Sequence, residues 1–354
     1  MRPHLLVTND FPPKVGGIQN YLWELWRRLP PDATTVLTTP HAGAAAFDAA
    51  APMRVVRDPN PVLLPHPRLA GRIRTLAAEV GAELVVYDPA LPLGAIAPRV
   101  GLPYGLVLHG AEITVPARTP VLARRLAKVL RGAELIVSAG GYAAAEATRC
   151  AGGGLLTVVV APGVDTARFV PLTDAQRAAA RLRHGLRPDA PLVVGVSRLV
   201  PRKGFDRLIR AVAALRRRGG GGAAGGLAGL QLAVVGTGRD ARRLRGLARR
   251  EQVPAVFPGR VPESGLAAVM GMGDVFAMPC RDRWGGLEQE GFGIVFLEAA
   301  AAGVAAVAGR SGGSHEAVEH GVTGLVVDRP ADPAATADAI ARLLDDDVRR
   351  AAVA

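Results

Sequence analysis

With 354 residues, 49% of them apolar, the chain is long enough for two domains of ordinary size and too apolar to be disordered. No apolar run reaches the roughly 18 residues of a membrane span, and Met1-Arg2-Pro3-His4 leads into a strand pattern with no signal-peptide core, which predicts a cytoplasmic protein. The net charge of +12 points to phosphorylated or anionic-lipid partners, whereas 4% aromatic residues supply too few rings for a nucleic-acid stacking platform.

In chain order, apolar runs predict strands at 4–8, 34–37, 54–56, 84–87, 105–108, 135–137 and 156–160. Amphipathic spacing predicts helices at 18–29, 68–80, 120–130 and 143–151. Pro162-Gly163-Val164-Asp165 onward to Pro171 reads as a boundary, followed by a polar helix at 174–184. The alternation then restarts, with strands at 192–196, 230–235, 255–257, 275–278, 304–307 and 325–327. Helices are expected between and after them at 205–217, 239–250, 263–270, 293–302, 314–320 and 333–344. Strands alternating with helices imply an α/β fold of two doubly wound Rossmann-like units, expected at 1–168 and 169–354. The glycine-rich insert at 219–229 lacks the Gly-Lys-Ser/Thr ending of a phosphate-binding loop and reads as a flexible connection.

Ligands of such sheets bind beyond the carboxyl ends of the strands, so the residues there are the candidates. Gly16-Gly17 joins the first strand to its helix; its amides suit a diphosphate, and the alternative is a tight turn. Asp10 and Lys14 share that loop. His109 follows a strand beside Gly110 and is placed either to donate to a substrate or to serve the fold. Ser197-Arg198-Leu199-Val200-Pro201-Arg202-Lys203-Gly204 puts cations at a strand end, and a lysine stands out because arginine is the default cation of this chain. Val235-Gly236-Thr237-Gly238 is half of a dinucleotide fingerprint, too weak for a nicotinamide cofactor. Glu290-Gly291-Phe292-Gly293-Ile294 opens a helix that carries Glu298, which fits a nucleotide-sugar clasp or a capped helix with one surface acid.

Two further matches are set aside. Gly309-Arg310-Ser311-Gly312-Gly313 fits a hydrolase nucleophile elbow, but the histidines that follow it, His315 and His320, are too close in sequence. Those two histidines are five residues apart, which puts them on different faces of a helix and rules out two-histidine zinc ligation. Cys150 and Cys280 form no metal-ligand or redox pair, and a disulfide is not expected in the cytoplasm. Basic helices carry Arg68, Arg72 and Arg74, then Arg118, Arg124, Arg125, Lys128 and Arg131 on or beside the second. They suit either an anionic membrane surface or simple solvation.

In order, the Gly16-Gly17 loop, His109-Gly110, Ser197 to Gly204, Val235 to Gly238, Glu290-x7-Glu298 and Gly312-Gly313 with Glu316 resemble the family 4 retaining glycosyltransferases of the two-domain GT-B fold. Val7-Thr8-Asn9-Asp10-Phe11-Pro12-Pro13 and Met278-Pro279-Cys280-Arg281 look like the bacterial phosphatidylinositol mannosyltransferases within it, particularly those that add the second mannose. The resemblance implies an N-terminal acceptor domain and a C-terminal donor domain facing each other across a cleft. It implies GDP-mannose as donor, a phosphatidylinositol mannoside as acceptor, no cofactor, no obligatory metal and no nucleic-acid partner. It further implies peripheral attachment to the inner face of the cell membrane. The catalytic positions it implies are His109, Glu290, Arg198 and Lys203. Donor contacts would come from Gly16, Gly17, Arg198, Lys203, Gly236, Val261, Glu290, Phe292, Gly293, Ile294 and Glu298, and Asp10 would face the acceptor. Arg198 and Lys203 would hold the diphosphate, Glu290 the sugar and Glu298 the ribose, with His109 near the reacting carbon. His315 stands where the family often has proline, and the family's last helix, which crosses back onto the first domain, is expected to be missing or short. The alternatives are another nucleotide sugar or acceptor, a non-catalytic basic membrane-binding protein of this fold, and a sugar-nucleotide epimerase.

Overall fold

The computed structural model describes residues 1–219 and 227–345. It divides into two compact units, Met1–Pro162 and Gly163–Ala354, the division falling within the Pro-Gly stretch and ahead of the expected 168/169 boundary. Most of the insert expected to be flexible, and the chain beyond 345 that bears on the crossing helix, lie outside the described residues.

The first unit holds β1 (His4–Thr8), β2 (Thr34–Thr38), β3 (Arg54–Arg57), β4 (Leu84–Asp88), β5 (Tyr104–Leu108), β6 (Leu135–Ser138) and β7 (Thr157–Val159). They pair in parallel in the order β3-β2-β1-β4-β5-β6-β7. The second holds β8 (Leu192–Val196), β9 (Gln231–Val235), β10 (Ala255–Gly259), β11 (Val275–Met278), β12 (Ala306–Gly309) and β13 (Gly324–Val327), ordered β10-β9-β8-β11-β12-β13. Central strands such as β8 are buried at every position, because helices cover both faces and leave no reason for polar alternation. Helix Phe205–Gly219 covers one face through Phe205, Leu208, Ile209, Val212 and Leu215, and turns its arginines away. Helix Asp174–Arg183, which follows the boundary, starts with a capping box in which Thr173 and Gln176 exchange hydrogen bonds.

Three expectations are corrected. The helix expected at 314–320 is only a 3₁₀ turn, Ser314–Ala317, hemmed by Gly312-Gly313 and Gly321. The strand expected at 304–307 is Ala306–Gly309; an alanine-rich run gives no boundary signal, and pairing of Phe276 with Ala306 sets the register. Helices Ala44–Ala50 and Ala111–Ala117 were not anticipated, since the first buries no residue and the second contains Pro116.

In each sheet the chain reverses direction of travel between two neighbours, β1 and β4 in the first unit and β8 and β11 in the second. At such switch points the loops diverge above and below the sheet and leave a crevice at the carboxyl end. Every candidate residue cluster below borders one of them.

Candidate functional site

In the first unit the crevice is bordered by the ends of β1, β4 and β5. Thr8 and Asp88 are paired neighbours in the sheet, and His109 follows β5 directly. The His109 Nε2 lies 2.8 Å from Asp88 Oδ1, and the Thr8 hydroxyl donates to Asp88 Oδ2 at 2.6 Å. The Asp10 amide in turn donates to the Thr8 hydroxyl at 2.8 Å. Burial pulls the His109 pKa down, but the carboxylates of Asp88, Glu112 and Asp10 outweigh it and hold the imidazole above its usual value. Asp10 is held above the usual carboxylate range by burial and by Asp88, against the pull of Lys14. It accepts from Gln19 Nε2 at 2.5 Å.

Gly16 is the N-cap of helix Gly17–Trp26 and brings no side chain to cap it. The first amides of that helix therefore remain donors for a ligand. Lys14, which shares this loop, is turned inward: its ammonium donates to the Asn9 carbonyl at 2.8 Å and to the Thr39 hydroxyl at 2.7 Å.

In the second unit the loops after β8, β11 and β12 meet at Glu290. Its carboxylate lies 2.8 Å from the Lys203 ammonium and 3.5 Å from the Arg202 guanidinium. Glu290 and Lys203 are both buried. Burial alone would raise the Glu290 pKa; Lys203, Arg202 and Arg198 outweigh it and keep the carboxyl below its usual range. The backbone of Glu290 is held as well, its amide donating to the Ser311 hydroxyl at 3.4 Å and its carbonyl accepting from the Gly313 amide at 3.0 Å. Arg202 also donates to the Gln289 carbonyl at 3.1 Å. The neighbouring Cys280 thiol is pushed up to about 12 by burial and by Glu290, so it is no nucleophile.

Gly293 takes φ +89 as N-cap of helix Ile294–Ala301, a conformation that L side chains rarely adopt. No side chain caps this helix either, which leaves its first amides available next to the Arg202–Lys203 loop through Glu290. Glu298 sits further along the same helix, buried, its carboxyl pushed up to about 7 chiefly by burial; Arg168 opposes that shift and Glu263 adds to it. Among the described residues its carboxylate has no hydrogen-bond donor. Arg198 is exposed and forms no ion pair among the described residues.

The structure thus carries Glu290, Phe292, Gly293, Ile294 and Glu298 on one loop and the helix it opens, and sets Lys203, from the loop after β8, against Glu290. Phe292 and Val261 lie partly buried against the core. Gly236 has a packing role the fingerprint did not suggest: with φ +127, a Cβ there would collide with the Ser197 carbonyl, so this glycine lets β9 end against the cation loop. Lys203, expected to face a diphosphate, is engaged by Glu290. Three residues that hold these loops in place were not singled out for that part by the sequence: Asp88, Asp206 and Ser311. Asp88 was legible as the one acid ending an apolar strand. Asp206, which grips Arg281 at 2.7 and 3.1 Å, and Ser311, which donates to Asp282 at 2.7 Å, had no local signal because their partners are distant in sequence.

In the second unit an uncapped helix start, the buried Lys203–Glu290 ion pair, the exposed Arg198 and the Glu298 carboxyl form a set that suits a diphosphate and a hydroxyl-rich group. The family described as "Glycosyl transferases group 1" matches residues 176–354. A Mycobacterium tuberculosis protein named GDP-mannose-dependent alpha-(1-6)-phosphatidylinositol monomannoside mannosyltransferase is 43% identical over 99% of this chain and 91% of its own length. The protein of the same name from Mycolicibacterium smegmatis is 42% identical over the same shares. The crystal structure of Anabaena Alr3699/HepE in complex with UDP superimposes with a TM-score of 0.79 at 22% identity, covering 100% of this chain and 92% of that one, and so shares the fold. With a family match over half its length and relatives aligned almost end to end, the chain belongs to the group 1 glycosyltransferases, enzymes of the GT-B fold.

Proposed function

We propose that this glycosyltransferase moves mannose from GDP-mannose to a phosphatidylinositol mannoside, with retention of anomeric configuration. The observation that carries the specificity is the 43% identity, nearly end to end, with a protein bearing that name. The second unit supports the donor half of the reading. As the sugar–phosphate bond breaks, negative charge gathers on the departing diphosphate, and preorganised donors aimed at that charge lower the barrier. Arg198, Lys203 and the first amides of helix Ile294–Ala301 are such donors. Glu290 would accept from the sugar hydroxyls, Glu298 from the ribose, and a phosphate oxygen of the leaving group would help deprotonate the acceptor. In this reading the protein cations neutralise the diphosphate without an obligatory metal.

We also propose peripheral contact with an anionic membrane on its inner face, which would bring the enzyme to its lipid acceptor. Among the described residues no helix is long and apolar enough to cross a membrane. Exposed Val115, Val121 and Leu122 lie on helices Ala111–Ala117 and Pro120–Arg131 with exposed Arg124, Arg125 and Lys128, a pairing of apolar and basic groups that suits lipid headgroups. The first basic helix supports this less. Its Leu69, Ile73 and Leu76 are core residues, Arg72 pairs with Asp58 at 2.9 Å, and Arg74 donates to the Arg99 carbonyl at 2.7 Å.

Incubation with GDP-mannose and phosphatidylinositol monomannoside should yield a dimannoside. No product, together with turnover of another donor or acceptor, would overturn the specificity. Sedimentation with anionic vesicles should fall as salt rises; absent or salt-independent binding would overturn the membrane contact.

A further inference from the structure

The environment of His109 contains more than a strand-end histidine requires. Asp88 is 1% exposed, and both its oxygens are occupied, Oδ1 by His109 Nε2 at 2.8 Å and Oδ2 by the Thr8 hydroxyl at 2.6 Å. The Tyr21 ring meets the imidazole edge-on, with centroids 5.4 Å apart at 89°. Tyr21 is itself fixed, its hydroxyl donating to the Val160 carbonyl at 2.9 Å. The imidazole is therefore held along one edge by a carboxylate and against one ring by an aromatic neighbour. Its Nδ1 has no hydrogen bond among the described residues and is not among the sealed, unpartnered atoms, so solvent reaches it. A purely structural histidine normally satisfies both nitrogens when buried. Here one nitrogen is anchored and the other is presented.

We infer that Asp88 is a positioning residue for the transfer reaction: it keeps the proton on His109 Nε2, fixes the ring, and leaves Nδ1 as the atom that meets the substrate. The inference rests on the reading of His109 as a substrate contact. A carboxylate can only accept, so Nε2 must donate to it, and this sets the tautomer of the neutral ring. Thr8 keeps Asp88 from rotating away, and its hydroxyl accepts from the Asp10 amide at 2.8 Å, which ties the β1 loop to the same assembly. The charged groups facing the imidazole are Asp88, Asp10 and Glu112. Of these only Asp88 bonds a ring nitrogen. Glu112 accepts instead from the backbone amides of His109 and Gly110, the latter at 3.0 Å.

The test combines kinetics with a direct reading of the ring. The full-length protein labelled with 15N-histidine is compared with Asp88→Asn, the His109 resonances being assigned by their loss in His109→Gln. In the unmutated protein Nε2 should carry the proton. In Asp88→Asn that signature should be lost and kcat for mannosyl transfer should drop by about 100-fold, while KM for GDP-mannose changes less than about threefold. An unchanged tautomer, an unchanged kcat, or a loss confined to KM would each overturn the positioning role. If Asp88→Asn does not fold, as judged by its melting transition, Thr8→Val removes one support of Asp88 at nearly constant volume. It should then lower kcat in the same direction, and no change would overturn the role. Absence of transfer by the unmutated protein would refute the substrate reading; a proton found on Nδ1 alone would refute the role of Asp88 whatever the substrate.

Discussion

Lys203→Met tests whether the loops of the second unit are organised by charge. The replacement keeps most of the side-chain length and removes only the ammonium 2.8 Å from Glu290. Removing one partner of a buried pair costs about 3–5 kcal/mol, because the other charge stays in the interior without compensation. Arg202 remains at 3.5 Å, which puts the expected loss at the lower end, about 3 kcal/mol. For a unit the size of Gly163–Ala354 that is a fall of about 6–12 °C in melting temperature. The pH dependence gives the sharper reading. In the unmutated protein the folded pKa of Glu290 lies below its ordinary value, so its contribution is present above the ordinary carboxylate range and is lost as pH falls through the folded pKa. In the variant burial prevails and the folded pKa lies above the ordinary value. The penalty is then greatest at neutral pH and is relieved on acidification. The gap between the two melting temperatures should narrow from about pH 8 to about pH 5, and Lys203→Met/Glu290→Gln should recover most of the loss. Differential scanning calorimetry measures both. A gap that stays constant or widens on acidification, or a double variant no more stable than Lys203→Met, would refute the reasoning.

Glu298, raised to about 7 by burial, should release a proton when it accepts from the ribose of GDP. Affinity for GDP should therefore fall as pH drops through about 7, by up to about tenfold per unit. Calorimetric titration in buffers of different ionisation enthalpy reads that proton directly, and Glu298→Gln should abolish it. Arg198→Ala should leave stability within about 0.5 kcal/mol, since the side chain is exposed and forms no ion pair among the described residues. It should weaken GDP binding about 10- to 100-fold; a stable variant with unchanged affinity would remove Arg198 from the diphosphate site. Gly236→Ala should lose about 2 kcal/mol or more in urea unfolding, because the backbone is left-handed and the Ser197 carbonyl occupies the Cβ position. An unaltered midpoint would contradict the packing role.

What could be read from the residues alone was what depends on periodicity and on strand ends. The all-apolar run of β8 and the spacing of Phe205, Leu208, Ile209 and Val212 announce a buried strand and its covering helix without any tertiary knowledge. The positions of Lys203 and His109 in loops after strands, and of Glu290 just ahead of a helix, followed from that alternation. What could not be read was who holds whom. That Glu290 engages Lys203 rather than leaving it free, and that Asp88 anchors His109 across a separation of 21 residues, depends on strand order in the sheets. Short helices such as Ala44–Ala50 escaped because alanine favours helix without marking a face. Gly236 reads in the sequence as part of half a dinucleotide fingerprint, and the constraint that the neighbouring Ser197 carbonyl places on it had no local signal.

Glu290 is gripped through its side chain by the loop after β8 and through both backbone groups by the loop after β12, while it belongs to the loop after β11. Three loops that could have drifted independently are thus cross-linked at a single residue. If these loops form the proposed donor site, its specificity cannot be changed one loop at a time. Exchanging the segment around Lys203, or the Ser311–Gly313 turn, with that of a relative would strand Glu290 between mismatched partners. The three segments should be transplanted together, as one part.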